Sequence, residues 1–197
     1  ASPFDFEDSF VPDSKHRMAL ARVPPTFVPA AEVRGEGIFL RFDEEQVVDW
    51  CAASVDREEQ FRLAHIGWRK QRGMDPPDAG FPVIRFVMLH TFAHALMRQL
   101  AIECGYTAAS IRERIYSKGP EEEGGPMAGV LIYTAAPDSE GNLGGLVNLG
   151  RAEELGRLID QALEDVMLCA SDPLCSEHAP TTDGGPRTLH GAACHAC

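Results

Sequence analysis

The sequence predicts a helix-rich mixed α/β fold with a small sheet, closed at its C-terminus by a four-cysteine zinc knuckle. Segments with helical periodicity or a continuous apolar character fill much of residues 44–168. Two short apolar segments, residues 37–42 and 127–135, have the length of strands. Four of the six cysteines lie in residues 168–197, in two closely spaced pairs.

Length and charge limit the class of protein. A chain of 197 residues with 44% hydrophobic residues can bury one core, with at most a small appendage. The net charge of -12 argues against a broad nucleic-acid binder that acts through its own field. No run of about eighteen apolar residues occurs, so we expect no membrane span. The acidic start lacks an apolar signal region, which predicts a cytoplasmic protein whose cysteines bind metal.

The sequence divides into three predicted parts. Residues 1–36 hold five prolines interspersed with phenylalanines. Because proline fixes φ and removes a donor, this stretch predicts an extended arm, with disorder as the alternative. Residues 37–168 form the predicted α/β domain, and residues 169–197 form the predicted zinc-binding segment.

The α/β domain begins with a short apolar strand over residues 37–42. Asp43 is placed to cap a helix whose first turn is acidic. A second, amphipathic helix follows over residues 57–72. It carries the most basic patch of the chain, called here the basic cluster: Arg57, Arg62, Arg69, Lys70 and Arg72. The cluster is either a solvated helix face or a contact for phosphate or for a partner protein.

A long apolar segment predicts a buried central helix over residues 83–104. His90 and His94 lie four residues apart, and therefore on one face of it. The spacing resembles that of a metalloprotease, but Thr91 stands where the catalytic glutamate would be. The two histidines could still hold a metal. The competing interpretation is a pair of core histidines bonded to the backbone or to a carboxylate.

The second half of the domain predicts two more helices and one more strand. The spacing of Ser110 and Glu113 fits a capping box, which favours a helix over residues 106–118. Residues 127–135 have the composition of a buried strand. The Gly-rich loop that follows lacks the Walker and dinucleotide patterns, so we favour tight packing over phosphate binding. Residues 151–168 predict an amphipathic helix that leads into the cysteines. Its predicted apolar stripe is formed by Leu155, Leu158, Ile159, Ala162, Leu163 and Val166.

The predicted metal ligands are the four C-terminal cysteines, and Zn²⁺ is the predicted cofactor. Five residues separate Cys169 from Cys175, and two separate Cys194 from Cys197. Two thiol pairs joined by a polar loop suit a tetrahedral thiolate site, which leaves no position open for a catalytic water. A redox role is disfavoured because the first pair is widely spaced and the second lacks a thioredoxin-like context.

Five segments in order resemble one known family. They read LHTFAHAL (89–96), CGYTAASIRERIY (104–116), GVLIYTAAPDSEGNLGGLV (129–147), DPLC (172–175) and HGAACHAC (190–197). Together they resemble the DrmB family of the DISARM bacterial anti-phage system. Members of this family carry a helicase-associated zinc-binding domain related to the C-terminal domain of Mrf-type DNA helicases. The resemblance covers residues 37–197.

The resemblance implies a non-catalytic zinc module that partners a DrmA-like DNA helicase subunit and binds DNA through the complex. It carries the zinc-ligand role over to the four C-terminal cysteines. Family members continue beyond the second cysteine pair into a segment with another cysteine. They are also much longer than this chain, so we expect either a fragment of a longer protein or a short relative. The alternative function is a metal-dependent hydrolase or nuclease. His90 and His94 would bind its ion, with Asp138 or Glu140 as third ligand or base.

Overall fold

The computed structural model of the chain describes residues 35–106, 110–134 and 145–167, together with residues 26, 27, 30 and 32. The chain divides into two units, Ala1–Glu32 and Val33–Cys197. The described part of the second unit contains three strands and five helices. In chain order they are β1 (Gly37–Arg41), α1 (Glu44–Ala53), α2 (Val55–Gln71), α3 (Ile84–Cys104), β2 (Ile111–Tyr116), β3 (Gly129–Thr134), α4 (Gly145–Leu149) and α5 (Ala152–Asp165).

The three strands form one antiparallel sheet in the order β1-β3-β2. Gly37 pairs with Tyr133 at one end of the β1–β3 ladder, and Ile111 pairs with Thr134 in the β2–β3 ladder. Successive side chains of a strand point to opposite faces. The face of Ile38, Val130 and Ile132 is buried in the core.

Helix α3 supplies much of the core. Leu89, Leu96 and Leu100 have no exposed surface, and each stabilises the fold by roughly 1.5–3 kcal/mol through burial. The helix contacts β2, β3 and α5. The prediction of a buried central helix is therefore confirmed. In the described ranges, no helix is long and apolar enough to cross a membrane.

Local signals placed several boundaries correctly. The Asp43 side chain accepts a hydrogen bond from the Gln46 backbone N–H at 3.0 Å, which confirms it as the cap of α1. Gly105 ends α3 with φ of 68°, a left-handed conformation that glycine adopts without a Cβ penalty. The helix-rich α/β class with a small sheet is confirmed, while residues 169–197, the predicted knuckle, lie outside the described residues.

The prediction of a helix over residues 106–118 is wrong. Ile111–Tyr116 is strand β2, paired with β3 along its whole length. The sequence I-R-E-R-I alternates apolar and charged residues, which is the period of a strand. Pairing with β3 satisfies these backbone groups and buries Ile111, and it therefore outweighs the capping-box signal at Ser110 and Glu113.

The amphipathic character of α5 is confirmed, with one correction to the predicted apolar stripe. Leu158 and Ala162 are buried against the core, as the pattern predicts. Leu163 belongs to the same predicted stripe, but 51% of it is exposed. One helical step of about 100° separates Leu163 from Ala162, which is enough to leave the narrow face that packs on α3.

Candidate metal centre

Three potential metal ligands meet where α3 crosses β2. His90 and His94 lie one turn apart on α3, and Glu113 lies on β2. One ligand atom from each residue lies within 4.8 Å of the other two. The α3 spacing brings the two imidazoles to one face of the helix, and strand alternation turns Glu113 toward that face with Ile111 and Ile115.

One carboxylate oxygen faces both imidazoles. Oε1 of Glu113 lies 3.1 Å from Nε2 of His94 and 2.9 Å from Nδ1 of His90. The first contact is a hydrogen bond, whereas Nδ1 of His90 is out of line for one. The imidazole rings are 4.2 Å apart between centroids. The histidines therefore contact a carboxylate, as the core-histidine interpretation expects.

Glu113 is a strong acid in this setting. Burial is the largest influence and raises the pKa of its carboxyl group. Contacts with His90 and His94, together with their charge, lower it by more, so that the pKa falls to about 2. The carboxylate is therefore ionised near neutral pH and can only accept hydrogen bonds. It follows that Nε2 of His94 carries the shared proton.

Two buried polar atoms of this group lack hydrogen-bond partners among the described residues. They are Nδ1 of His90 and Oε2 of Glu113. A buried polar atom without a partner costs about 1–3 kcal/mol. A cation held by His90, His94 and Glu113 would take the place of the proton on Nε2 of His94. Two imidazole nitrogens and one carboxylate oxygen form a donor set that zinc accepts. The residues of this centre therefore fit a metal ion.

The centre opens to solvent on one side. The His94 side chain is 4% exposed and that of Glu113 is 16% exposed, whereas that of His90 is 34% exposed. Phe86 stacks on the His90 ring with a centroid distance of 5.4 Å and an angle of 19°. An ion or a small ligand would therefore enter past His90, beside the Phe86 ring.

Sequence reasoning identified the two histidines but missed Glu113 as their partner. The proposed third ligands Asp138 and Glu140 lie outside the described residues. A usable signal was present, because in I-R-E-R-I the glutamate shares a face with two isoleucines. A carboxylate on the apolar face of a strand requires a buried partner. This signal can be interpreted only after the segment is recognised as a strand, because the shared face depends on strand alternation.

The four predicted zinc ligands lie outside the described residues. They are Cys169, Cys175, Cys194 and Cys197. The other two cysteines, Cys51 and Cys104, are free and partly buried, and burial raises the pKa of both thiols. Helix α5 ends at Asp165, four residues before the first of the predicted ligands.

The basic cluster lies on α2 and on the residue that ends it, and several of its members are already engaged. Arg62 pairs with Glu59 at 2.7 Å, and Nε of Arg69 donates to the Pro76 carbonyl at 3.2 Å. The guanidinium of Arg72 lies 4.2 Å from the Trp68 ring centroid, and that of Arg57 lies 5.9 Å from the Phe61 ring centroid. Lys70 lies between Arg69 and Arg72 in sequence.

Comparison with known proteins identifies the family. Residues 92–197 match the MrfA Zn-binding domain, a range that includes His94, Glu113 and all four C-terminal cysteines. The chain is also 41% identical over 174 residues to the DISARM protein DrmB of Bacillus paralicheniformis. That alignment covers 87% of this chain and 29% of the relative, so the chain spans less than a third of the relative's length.

These matches confirm the resemblance that the five sequence segments predicted. They also confirm zinc as the cofactor, since the matched family is defined as a zinc-binding domain. The family match spans more than half of the residues of the chain, and the chain therefore belongs to the MrfA Zn-binding domain family.

Proposed function

We propose that the chain is a non-catalytic zinc-binding module of a bacterial anti-phage system, acting in the cytoplasm beside a DrmA-like DNA helicase subunit. The observation that carries this proposal is the similarity to the DISARM protein DrmB over 87% of the chain, together with the zinc-binding family match. The module assists DNA binding by the complex, and the acidic chain meets DNA through local basic surfaces. The basic cluster on α2 is one such surface, for DNA or for the partner.

The zinc is held by Cys169, Cys175, Cys194 and Cys197, within a segment formed by residues 169–197. Four thiolates would fill a tetrahedral zinc site, so the metal would stabilise the fold and leave no position for a catalytic water. Helix α5 supports this role, because its buried Leu158 anchors a helix that ends at Asp165, four residues before Cys169. In this proposal residues 1–36 form an arm, and residues 37–168 form the domain that the zinc segment closes.

Metal and thiol counts test the zinc assignment. The purified chain should hold zinc, and a chelator should unmask four thiols together. Cys51 and Cys104 are free, so a Cys51→Ser, Cys104→Ser double variant provides a background without them. In that background, Cys194→Ser should lower the zinc content by one ion per chain. Zinc content unchanged by Cys194→Ser would contradict the assignment.

Co-purification tests the partnership. A tagged chain co-expressed with the DrmA-like helicase subunit should retain that subunit, and the pair should bind DNA more tightly than the helicase alone. Charge reversal at Arg69 or Lys70 should weaken either the retention or the DNA binding. Reversal of Arg151, which is exposed at the start of α5, is the matched control. A complex that forms without any gain in DNA affinity would contradict the assisting role.

A second function is supported by the group of His90, His94 and Glu113. If these three residues held zinc, one coordination position would stay open, and the metal could supply an activated water there. This arrangement supports the alternative of a metal-dependent hydrolase or nuclease. A second ion, lost in His94→Gln but kept in Cys194→Ser, together with metal-dependent cleavage of DNA or a phosphodiester, would establish it. One zinc per chain and no cleavage would exclude it.

A further inference from the structure

The sheet has a second face that no helix of the described residues covers. Strand alternation places Phe39 and Arg41 of β1 on this outer face, opposite Ile38 and Leu40. Phe39 is 57% exposed, and Arg41 is exposed as well. The same alternation brings five more side chains to the outer face from the other two strands: Arg112, Arg114 and Tyr116 of β2, and Leu131 and Tyr133 of β3.

The strand register arranges these side chains in three rows. Arg112 lies beside Tyr133 in the first row, and Arg114, Leu131 and Phe39 form the second. Tyr116, Gly129 and Arg41 form the third. Each row therefore combines a guanidinium group with an aromatic ring.

The aromatic rings are held in place by their neighbours. Phe39 meets Tyr116 edge to face, with centroids 5.7 Å apart and an angle of 83°. Gly129 makes this possible, because a Cβ there would lie 3.0 Å from Cζ of Phe39. The Arg114 guanidinium lies 5.6 Å from the Tyr116 ring centroid. Phe39 and Tyr116 thus form a preorganised aromatic pair, with the Arg114 guanidinium over the Tyr116 ring.

The charge of this face is opposite to that of the chain. The outer positions of the three strands carry three arginines and no acidic residue, in a chain of net charge -12. Among the described residues no carboxylate forms an ion pair with any of the three, whereas Arg62, Arg85 and Arg157 each pair with a glutamate. Two acidic residues that flank β1 in sequence are engaged elsewhere. Glu36 accepts from Tyr106, and Asp43 caps α1.

We propose that the outer face of the sheet binds single-stranded nucleic acid, with bases stacked on Phe39, Tyr116 and Tyr133 and phosphates held by Arg41, Arg112 and Arg114. Rings next to guanidinium groups on a sheet are suited to unpaired bases, whose faces are free to stack. From Tyr133 to Tyr116 the face spans about 13 Å at strand spacing, which accommodates two or three nucleotides. A duplex buries its base faces and gains little from these aromatic rings.

Fluorescence anisotropy with the zinc-loaded chain of 197 residues tests the proposal. The probes are labelled dT12, rU12 and a duplex of the same length. Both single strands should bind more tightly than the duplex, and comparable dT12 and rU12 affinities would show that the 2′-hydroxyl is not read. For three phosphate contacts, a plot of log K against log salt concentration should have a slope of about −2. Each replacement of an arginine by glutamine should make this slope less steep by about 0.7.

The variants separate stacking from charge. Phe39→Ala or Tyr116→Ala should weaken dT12 binding by at least about five-fold with little change in the salt slope. Arg157→Gln on α5 is the matched control and should leave the affinity unchanged. Thermal melting verifies that each variant is folded. Photocrosslinking of the unmodified chain to an iodouracil-substituted strand gives a second readout, with crosslinks expected at Phe39, Tyr116 or Tyr133.

Several results would overturn the proposal. One is equal affinity for the duplex and the single strands, and another is crosslinking confined to other surfaces. A third is a dimer, detected by sedimentation, that Phe39→Ala dissociates, because the face would then be a contact between two copies of the chain. Loss of binding in Arg69→Gln alone would assign the DNA contact to the basic cluster on α2 instead. Because helicase retention is measured separately, failure here leaves the proposed partnership intact.

Discussion

His94 and Glu113 join the longest helix of the described residues to an edge strand of the sheet. Nε2 of His94 donates to Oε1 of Glu113 at 3.1 Å, and both side chains are largely buried. Because α3 and β2 are consecutive elements joined by a short connection, this contact fixes how the strand lies against the helix. His90 approaches the same oxygen, so one carboxylate serves two imidazoles.

Glu113→Gln should destabilise the chain. The amide keeps the size of the carboxylate but removes the charge that faces the two histidines. We expect the free energy of unfolding in urea to fall by roughly 1.5–3 kcal/mol, the usual contribution of a hydrogen bond to a charged group. Glu153→Gln, at an exposed position in the first turn of α5, is the control and should change it by less than about 0.5 kcal/mol. Equal effects of the two substitutions would contradict a structural role for Glu113.

The contribution of Glu113 should depend on pH. Its pKa is lowered from 4.5 to about 2 in the folded chain, so its stabilisation is fully present above pH 4.5. As pH falls from 4.5 toward 2, protonation of the folded state removes that stabilisation. The difference in unfolding free energy between the parent chain and Glu113→Gln should therefore shrink over this window. A difference that stays constant down to pH 2 would mean that the charge of Glu113 contributes nothing.

Two leucines of α5 should respond differently to the same truncation. Leu158 has no exposed surface, so Leu158→Ala should cost about 2–5 kcal/mol of stability. Leu163 is 51% exposed, and Leu163→Ala should cost less than about 1 kcal/mol. Thermal and urea unfolding of the two variants provide the comparison. Similar losses would mean that Leu163 packs against a surface outside the described residues.

Two glycines should respond with opposite signs to replacement by alanine. Gly105 has φ of 68°, and no atom lies within 4 Å of the position a Cβ would take, so Gly105→Ala should cost about 1–2 kcal/mol through backbone strain alone. Gly156 lies inside α5 with equally open space around it. Gly156→Ala should stabilise the chain by roughly 0.5–1 kcal/mol. Unfolding midpoints that move in the same direction would contradict this account of α3 termination.

Elements with local signals could be predicted from the sequence. Asp43 before an acidic first turn identified the start of α1, and Gly105 identified the end of α3, because caps act within a few residues. The helix over residues 106–118 failed for the opposite reason. A capping-box spacing is local, whereas the strand that Ile111–Tyr116 forms is stabilised by a partner that follows it by more than ten residues.

By itself, the sequence determined helices α1, α2, α3 and α5 and the candidate pair of His90 and His94, because periodicity and caps are contained in short stretches of chain. The zinc-binding family followed from the resemblance of five segments to known members. The tertiary structure decided which other residues those stretches contact. It made residues 111–116 a strand, turned Glu113 toward both histidines, and gathered arginines and aromatic rings from three strands on one face. The grouping on the sheet depends on backbone pairing between β1 and β3, whose partners Gly37 and Tyr133 are far apart in the chain.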